Sequence, residues 1–410
     1  MLEKIFRKAS VLARHKTAPL LKERQSYLGY LADKGYAVGS LAVCARQLLN
    51  IAGELSDSSY PVAQEQIDVA AERWAARHDH RYKRSQRKRF VTVAEQWFRF
   101  LGQLQAPVVT ARVFDNMIDE FGIWLDVERG LSARTIHGYC RHVTRFMEWH
   151  AGNVHPFSMP TIEDVDRHVI TCSADGWSRT GLASRTTALK VFFRYAAIRC
   201  WCPKFIAEAI ERPRIYDLEG LPAGPAWDDV QLLLNSMNTD HLCDIRDRAI
   251  VLLFAMYGLR AGEVAGLRLD DIDWDREQIL VRRTKQRTAN IYPLNAIVGN
   301  AILRYLKDGR RKSAHREIFL RLNAPFESLS RGALYNMVRD RLDELGIVSR
   351  RRGPHSLRHA CAIRLVDEGL CLKEIGDHLG HRSSGSTRVY AKVNVRALRE
   401  VADFDMGGAL

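Results

Sequence analysis

The chain has 410 residues, 62 Lys and Arg against 48 Asp and Glu, and a formal net charge of +14. Single cores stop growing at roughly 250–300 residues, so two or three domains are expected. The charge favours a polyanionic partner, nucleic acid first, and because the basic residues are spread over the whole chain a membrane-surface role is the weaker reading. No run approaches the ~18 apolar residues of a membrane span. The opening MLEKIFRKASVLARHK has neither an apolar signal core nor a cleavage site and reads as a mature end. The eight cysteines are scattered, with no CxxC pair and no zinc-ligand spacing, which reads as reduced thiols in a cytosol and implies no metal.

Three stretches look alike: 35–55, 130–150 and 181–201. Each opens on Gly, continues with small or hydroxyl residues that suit N-caps, and then shows apolar residues at helical period. The first two are preceded by matching helical segments, 20–34 and 115–129. This predicts a helical-hairpin unit used once in 1–75 and again in 110–205, by duplication or by convergence of amphipathic helices. Between the two copies lies HDHRYKRSQRKRF (78–90), carrying Arg81, Lys83, Arg84, Arg87, Lys88 and Arg89. It reads either as a strand or arm along phosphates or as a solvated linker; the interruptions by Tyr82 and Phe90 favour the arm. RPRIYDLEGLPAGPAW (212–227), with three Pro and two Gly, reads as an interdomain linker. Beyond it, helical patterns cover WDDVQLLLNSM and RDRAIVLLFAMYG, and QILVRRTK and ANIYPL alternate as a β-hairpin turning at QRT. Helices then return through LYNMVRDRLDELG, SLRHACAIRLVDEG, LKEIGDHLG and VNVRALREVADF. The expected division is 1–90, 91–211, a linker at 212–225, and 226–410. The expected fold is mainly α with a small β-sheet: a helical domain, a mixed α/β domain and an extra helical N-terminal unit.

The last third holds six polar groups in order: Arg260, Lys285, His355, Arg358, His381 and Tyr390. Each alone has a plain structural reading. Arg260 is either a bidentate phosphate clamp or the partner of Glu263, three residues on. Lys285, near several arginines, is either a general acid or a surface lysine. His355 and Arg358, at i and i+3, share one helix face, and Pro354 puts His355 at the helix start. His359 completes an HxxxH spacing with His355, but Ser356 stands where a zinc peptidase needs its glutamate, so we read His359 as a decoy. His381 follows a helix-ending Gly380, and Tyr390 could be a core tyrosine. Together, the order and spacing argue for a phosphodiester attacked by a phenol and steadied by cations.

The strings GLRAGEVAGLRLDDID, PHSLRHACAIRL and LGHRSSGSTRVYAKV resemble the catalytic domain of the tyrosine recombinases, the lambda-integrase and Xer-type family, over 226–395. Residues 110–205 resemble that family's helical core-binding domain, and GLSARTIHGYCRHVTRFMEW is similar to its entry. The resemblance implies a site-specific recombinase that cleaves and rejoins double-stranded DNA through a 3′-phosphotyrosyl intermediate. It implies Tyr390 as nucleophile, Arg260 and Arg358 on the non-bridging oxygens and His381 as a further donor. It also implies His355 helping to take the phenol proton, Lys285 protonating the leaving 5′-hydroxyl, and no cofactor. DNA contacts are expected from the 78–90 residues named above and from Arg134, Arg141 and Arg185. A homo-oligomer on DNA, with or without partner recombinases, a C-terminal tail docking on a neighbour or folding back, a mobile-element role and a cytoplasmic, nucleoid-associated location are the remaining expectations. A topoisomerase-like relaxing enzyme and a non-catalytic accessory DNA binder are the alternatives.

Overall fold

The computed structural model describes the chain except for residues 57–59, 78–82, 107–111, 154–158, 216–223, 284–287, 382–384 and 394–410, and the side chains of residues 83, 84, 392 and 393. It divides into two compact units, Met1–Pro107 with Gly220–Leu410, and Val108–Glu219. The protein is mostly helical with one small antiparallel sheet.

The N-terminal part begins with α1 (Leu2–Ile5) and α2 (Ala9–Thr17), followed by α3 (Leu21–Asp33), α4 (Val38–Leu55), α5 (Gln64–Ala76) and α6 (Lys83–Phe100). In α4, Leu41, Ala45, Leu48, Ile51, Ala52 and Leu55 form one buried stripe at helical spacing. The second unit carries α7 (Asp115–Val127), α8 (Ala133–Asn153), α9 (Ile162–Ala174), α10 (Arg179–Ile198) and α11 (Phe205–Ala209). Helices α3–α6 have 13, 18, 13 and 18 residues, and α7–α10 have 13, 21, 13 and 20. The match in helix order and length thus runs over four helices in each half, longer than the hairpin read from the sequence.

Three details of that reading are corrected. From Lys83 onward the basic stretch is not a strand or arm but the start of α6. Phe90, Ala94, Trp97 and Phe98 form that helix's buried face, a stripe at i, i+4, i+7 and i+8. The division at residue 90 accordingly falls inside a continuous helix. In the third stretch the turn glycine is Gly176, not Gly181. Gly35, Gly130 and Gly176 all have positive φ (86°, 56° and 83°) just after a helix, whereas Gly181 lies within α10. The Tyr36 N–H donates to Leu31 O and the Trp177 N–H to Cys172 O, closing the helix ends as such a turn requires. Ser178 does cap α10, its Oγ accepting from Gly181 N at 3.2 Å. By contrast Ala37, the residue before α4, provides no side-chain cap.

The C-terminal part carries α12 (Trp227–Ser236), α13 (Leu242–Tyr257) and the short α14 (Ala261–Ala265). The sheet β1 (Ile272–Asp273), β2 (Gln278–Arg283), β3 (Thr288–Pro293) follows, in that order, with Leu280 opposite Ile291 and Arg283 opposite Thr288. Then come α15 (Ala296–Arg304), α16 (Arg331–Glu344), α17 (Pro354–Asp367), α18 (Leu372–Leu379), α19 (Gly385–Arg388) and a 3-10 turn, Val389–Val393. Helix α13 is buried on nearly every side and forms the centre of this core, with Ile250, Leu253 and Phe254 fully covered. The hairpin turn at 284–287 and the tail 394–410 lie outside the described residues, as do 78–82 of the basic stretch.

Candidate active site

The site forms where α13 and α18 end and α14 and α17 begin. Helix α13 stops at Gly258 in the left-handed region, φ 58°. A Cβ there would fall 2.4 Å from Leu379 Cδ2. This tight turn makes Arg260 the residue that opens α14. The backbone N–H of Arg260 donates to Glu263 Oε2 at 2.8 Å, its Nη1 donates to Glu263 Oε1 at 2.8 Å, and its Nη2 donates to Gly380 O at 3.1 Å. The ion pair with Glu263 is thus present, and it fixes the guanidinium while leaving about a third of the side chain open to solvent.

Arg358 projects from α17 and is 2% exposed. It donates to Gly258 O, and to Leu379 O at 2.9 Å. Dehydration, and then the neighbouring Arg260, lower its pKa to about 10. The carbonyls it meets are the ends of α13 and α18, where helix dipoles present partial negative charge.

A third guanidinium completes the cluster, and the sequence reading passed over it. Arg283 ends β2, is 2% exposed, and donates to Leu379 O at 2.7 Å, to Glu263 Oε1 at 3.4 Å and to the Tyr292 hydroxyl. Its signal was the period of the strand: Ile279, Val281 and Arg283 all point to the buried side. Among the described residues, the carboxylate meeting Arg260 and Arg283 is Glu263, so cations outnumber anions in a partly dry site. That excess favours binding an anion.

Helix α18 ends on Gly380, φ 62°, and the His381 N–H closes the turn by donating to Gly376 O at 2.8 Å. His381 is therefore both a helix-end residue and a member of the cluster. Its Nδ1 lies 2.8 Å from Thr387 Oγ1, and dehydration followed by Arg358, Arg260 and Arg283 holds its pKa at about 4. Tyr390 lies in the 3-10 turn, 2% exposed, with its ring parallel to that of His381 at 6.5 Å. Burial raises its phenol pKa to about 12. Its hydroxyl is 2.8 Å from Nδ1 of His359, the residue read from the sequence as a decoy. His355 stays exposed at the start of α17, its ring 4.6 Å from that of His359. Dehydration, then Arg351, Arg358 and Arg260, lower its pKa to about 4.

The structure thus gathers Arg260 and Arg358 on the carbonyls of Gly380 and Leu379, with Tyr390 beside His381 and His359, and His355 joined through His359. Lys285 and Arg81 lie outside the described residues. Of the residues expected on DNA, Arg134, Arg141, Lys88 and Arg89 are exposed. Arg87 is paired with Asp68 and Glu72 at 3.5 and 3.2 Å, and Lys83 and Arg84 open α6. Arg185 is a correction. It is 3% exposed, its Nη1 is 2.8 Å from His168 Nε2 and 2.6 Å from Cys172 Sγ, and its guanidinium lies 4.0 Å from the Trp177 ring centroid. It therefore serves the core of its own helical module. Helix α10 turns residue 185 inward with Leu182, Ala183 and Leu189, a face that residue type alone did not reveal.

A buried phenol next to clustered guanidiniums at the ends of helices defines a protein that handles phosphodiesters. Residues 226–396 match the phage integrase family, and residues 118–199 match the phage integrase N-terminal SAM-like domain. The chain is 32% identical over 303 residues to "Putative integrase/recombinase y4rF" of Sinorhizobium fredii, covering 72% of this chain and 70% of that one. It is 28% identical over 295 residues to tyrosine recombinase XerD of Listeria monocytogenes, covering 70% and 97%. The fold resembles that of the XerH site-specific recombinase bound to palindromic difH (TM-score 0.56, 17% identity, 83% and 96% covered). It also resembles that of the Tn1549 transposon integrase bound to transposon right end DNA (TM-score 0.55, 17% identity, 70% and 99% covered). The chain belongs to the tyrosine recombinase family, whose members are site-specific DNA recombinases.

Proposed function

We propose that Tyr390 is the nucleophile of this recombinase. The observation that carries the proposal is the buried phenol's place beside His381 and Arg358, the latter a member of the guanidinium cluster. Tyr390 Oη attacks the phosphorus, a 3′-phosphotyrosyl bond forms, and the P–O5′ bond breaks. Arg260 and Arg358 hold the non-bridging oxygens as charge builds, with His381 as a further donor and His355 nearby. Lys285 gives its proton to the departing 5′-hydroxyl oxygen. The covalent bond keeps the phosphodiester energy, so a 5′-hydroxyl from another strand reverses the step without ATP. The guanidiniums supply the positive charge, and we assign no metal or cofactor.

The bound partner is double-stranded DNA. Arg134 and Arg141 on α8, and Lys83, Arg84, Arg87, Lys88 and Arg89 on α6, with Arg81 before them, contact phosphates. The α3–α6 module repeats the helix order of the module that matches the SAM-like family, which supports a DNA role for both. We propose the 226–410 part as the catalytic domain, a homo-oligomer as the working assembly, and the nucleoid as its place in the cytoplasm. No helix among the described residues is long and apolar enough to cross a membrane. Integrase-named relatives and the transposon-integrase fold support service to a mobile element.

The test uses a nicked suicide duplex carrying the element's own ends, with wild type and Tyr390→Phe compared on a denaturing gel. A covalent adduct lost in Tyr390→Phe is expected. No adduct on DNA that the protein binds specifically would favour the accessory-binder reading instead.

A further inference from the structure

We infer that His359 is a catalytic residue of this enzyme: the group that holds the Tyr390 hydroxyl and takes its proton as the phenol attacks. The inference rests on Tyr390 being the nucleophile. The short contact is made at Nδ1, 2.8 Å from Tyr390 Oη, while Nε2 faces Arg351 Nη1 at 3.5 Å, beyond a good hydrogen bond. A phenol both donates and accepts, so either ring tautomer satisfies the short contact. Proton transfer to His359 requires the one with its proton on Nε2 and its Nδ1 lone pair toward the phenol. His355, exposed and one helical turn earlier, packs its ring against His359, 4.6 Å away at 63°. His359 thus lies between His355 and the nucleophile, 8% exposed, on the rigid helix that also carries Arg358.

The groups acting on His359 are His355, Arg351, Arg358 and His381. With dehydration, the larger cause, they hold its pKa at about 4, so the ring is neutral at working pH and able to accept. A phosphate bound by the guanidiniums offsets those positive charges and makes the imidazolium easier to form. Proton acceptance is thereby strengthened by the substrate itself. The step balances. The Oη–H proton moves to Nδ1, the Oη–P bond forms, the P–O5′ bond breaks, and the leaving oxygen takes a proton from the general acid. On rejoining, Nδ1–H returns the proton to the departing phenolate.

The experiment is single-turnover adduct formation on the suicide duplex across pH, with wild type, His359→Gln and Tyr390→Phe. His359→Gln is expected to slow adduct formation by roughly 100-fold or more, to leave DNA affinity unchanged, and to lose the acidic limb of the pH profile. A duplex with a 5′-bridging sulfur has a leaving group that needs no proton. It should rescue Lys285→Ala but not His359→Gln. A wild-type rate in His359→Gln, or its full rescue by sulfur, overturns the assignment. If wild type itself gives no adduct, or Tyr390→Phe still gives one, the nucleophile reading has failed instead. Nitrogen-15 NMR of the DNA-free wild type does not depend on how the variant folds. A bare Nδ1 is expected on His359, and a protonated Nδ1 with a bare Nε2 overturns the proposal.

Discussion

Replacing Gly380 by alanine tests how the active site is held together. Gly380 has φ 62°, and a left-handed conformation costs an ordinary residue roughly 1–2 kcal/mol. The added Cβ would also fall 2.0 Å from Arg283 Cζ and 2.2 Å from its Nη1. Guanidiniums usually move aside cheaply, but this one is buried and bound to Leu379 O, Glu263 and Tyr292. Displacing it breaks charge-assisted hydrogen bonds worth about 1.5–3 kcal/mol. The expected loss is therefore about 2.5–5 kcal/mol, or a fall in Tm of roughly 5–20 °C at ~2–4 °C per kcal/mol. Gly369 is the control. Its φ is 89°, and nothing lies within 4 Å of its would-be Cβ. Gly369→Ala should show the left-handed cost alone. Calorimetry of both variants, with adduct formation measured below both melting points, reads the difference. Equal losses in the two variants would refute the claim that Arg283 is packed against the turn.

Two further predictions concern charge. Arg185→Ala should lower Tm by several degrees and leave the salt dependence of DNA binding unchanged. Arg141→Ala should leave Tm unchanged and reduce the slope of log K against log salt by about 1; the opposite pattern would return Arg185 to the DNA interface. The second follows from His168 and His359, whose pKa values are lowered to about 4, first by dehydration. Between the unfolded value of ~6.5 and about 4, the unfolded chain binds protons that the folded chain does not. Stability is therefore full above the upper limit and falls as pH drops through the window, by on the order of 2 kcal/mol per histidine at about pH 5. A melting temperature higher at pH 5 than at pH 7.5 would contradict this.

The helices were legible because burial repeats with the helical period, and the hairpin because β2 alternates. The residue types of the site were legible because phosphoryl chemistry needs a nucleophile and several cations, and these stand in recognisable strings. The turn glycine of the third stretch was misplaced because Gly176 and Gly181 both lie near a hydroxyl-rich helix start. Only φ separates them. Residues 83–90 misled because their basic residues are dense, while the apolar stripe of the helix they open lies mostly beyond Phe90.

The sequence by itself determined the candidate reactive residues and their order: Arg260, Lys285, His355, Arg358, His381, Tyr390. It also determined the mainly helical fold, because periodicity and residue chemistry are local properties. Tertiary structure decided which cations are dry and which histidine meets the phenol. Arg185 and Arg141 look alike along the chain, yet one is buried against His168 and the other is exposed. Arg260 meets Gly380 across 120 residues, and His359 meets Tyr390 across 31. Period assigns a residue to a face of its own helix or strand. Burial, pKa and hydrogen-bond partner depend on what other elements place against that face, and only packing supplies that.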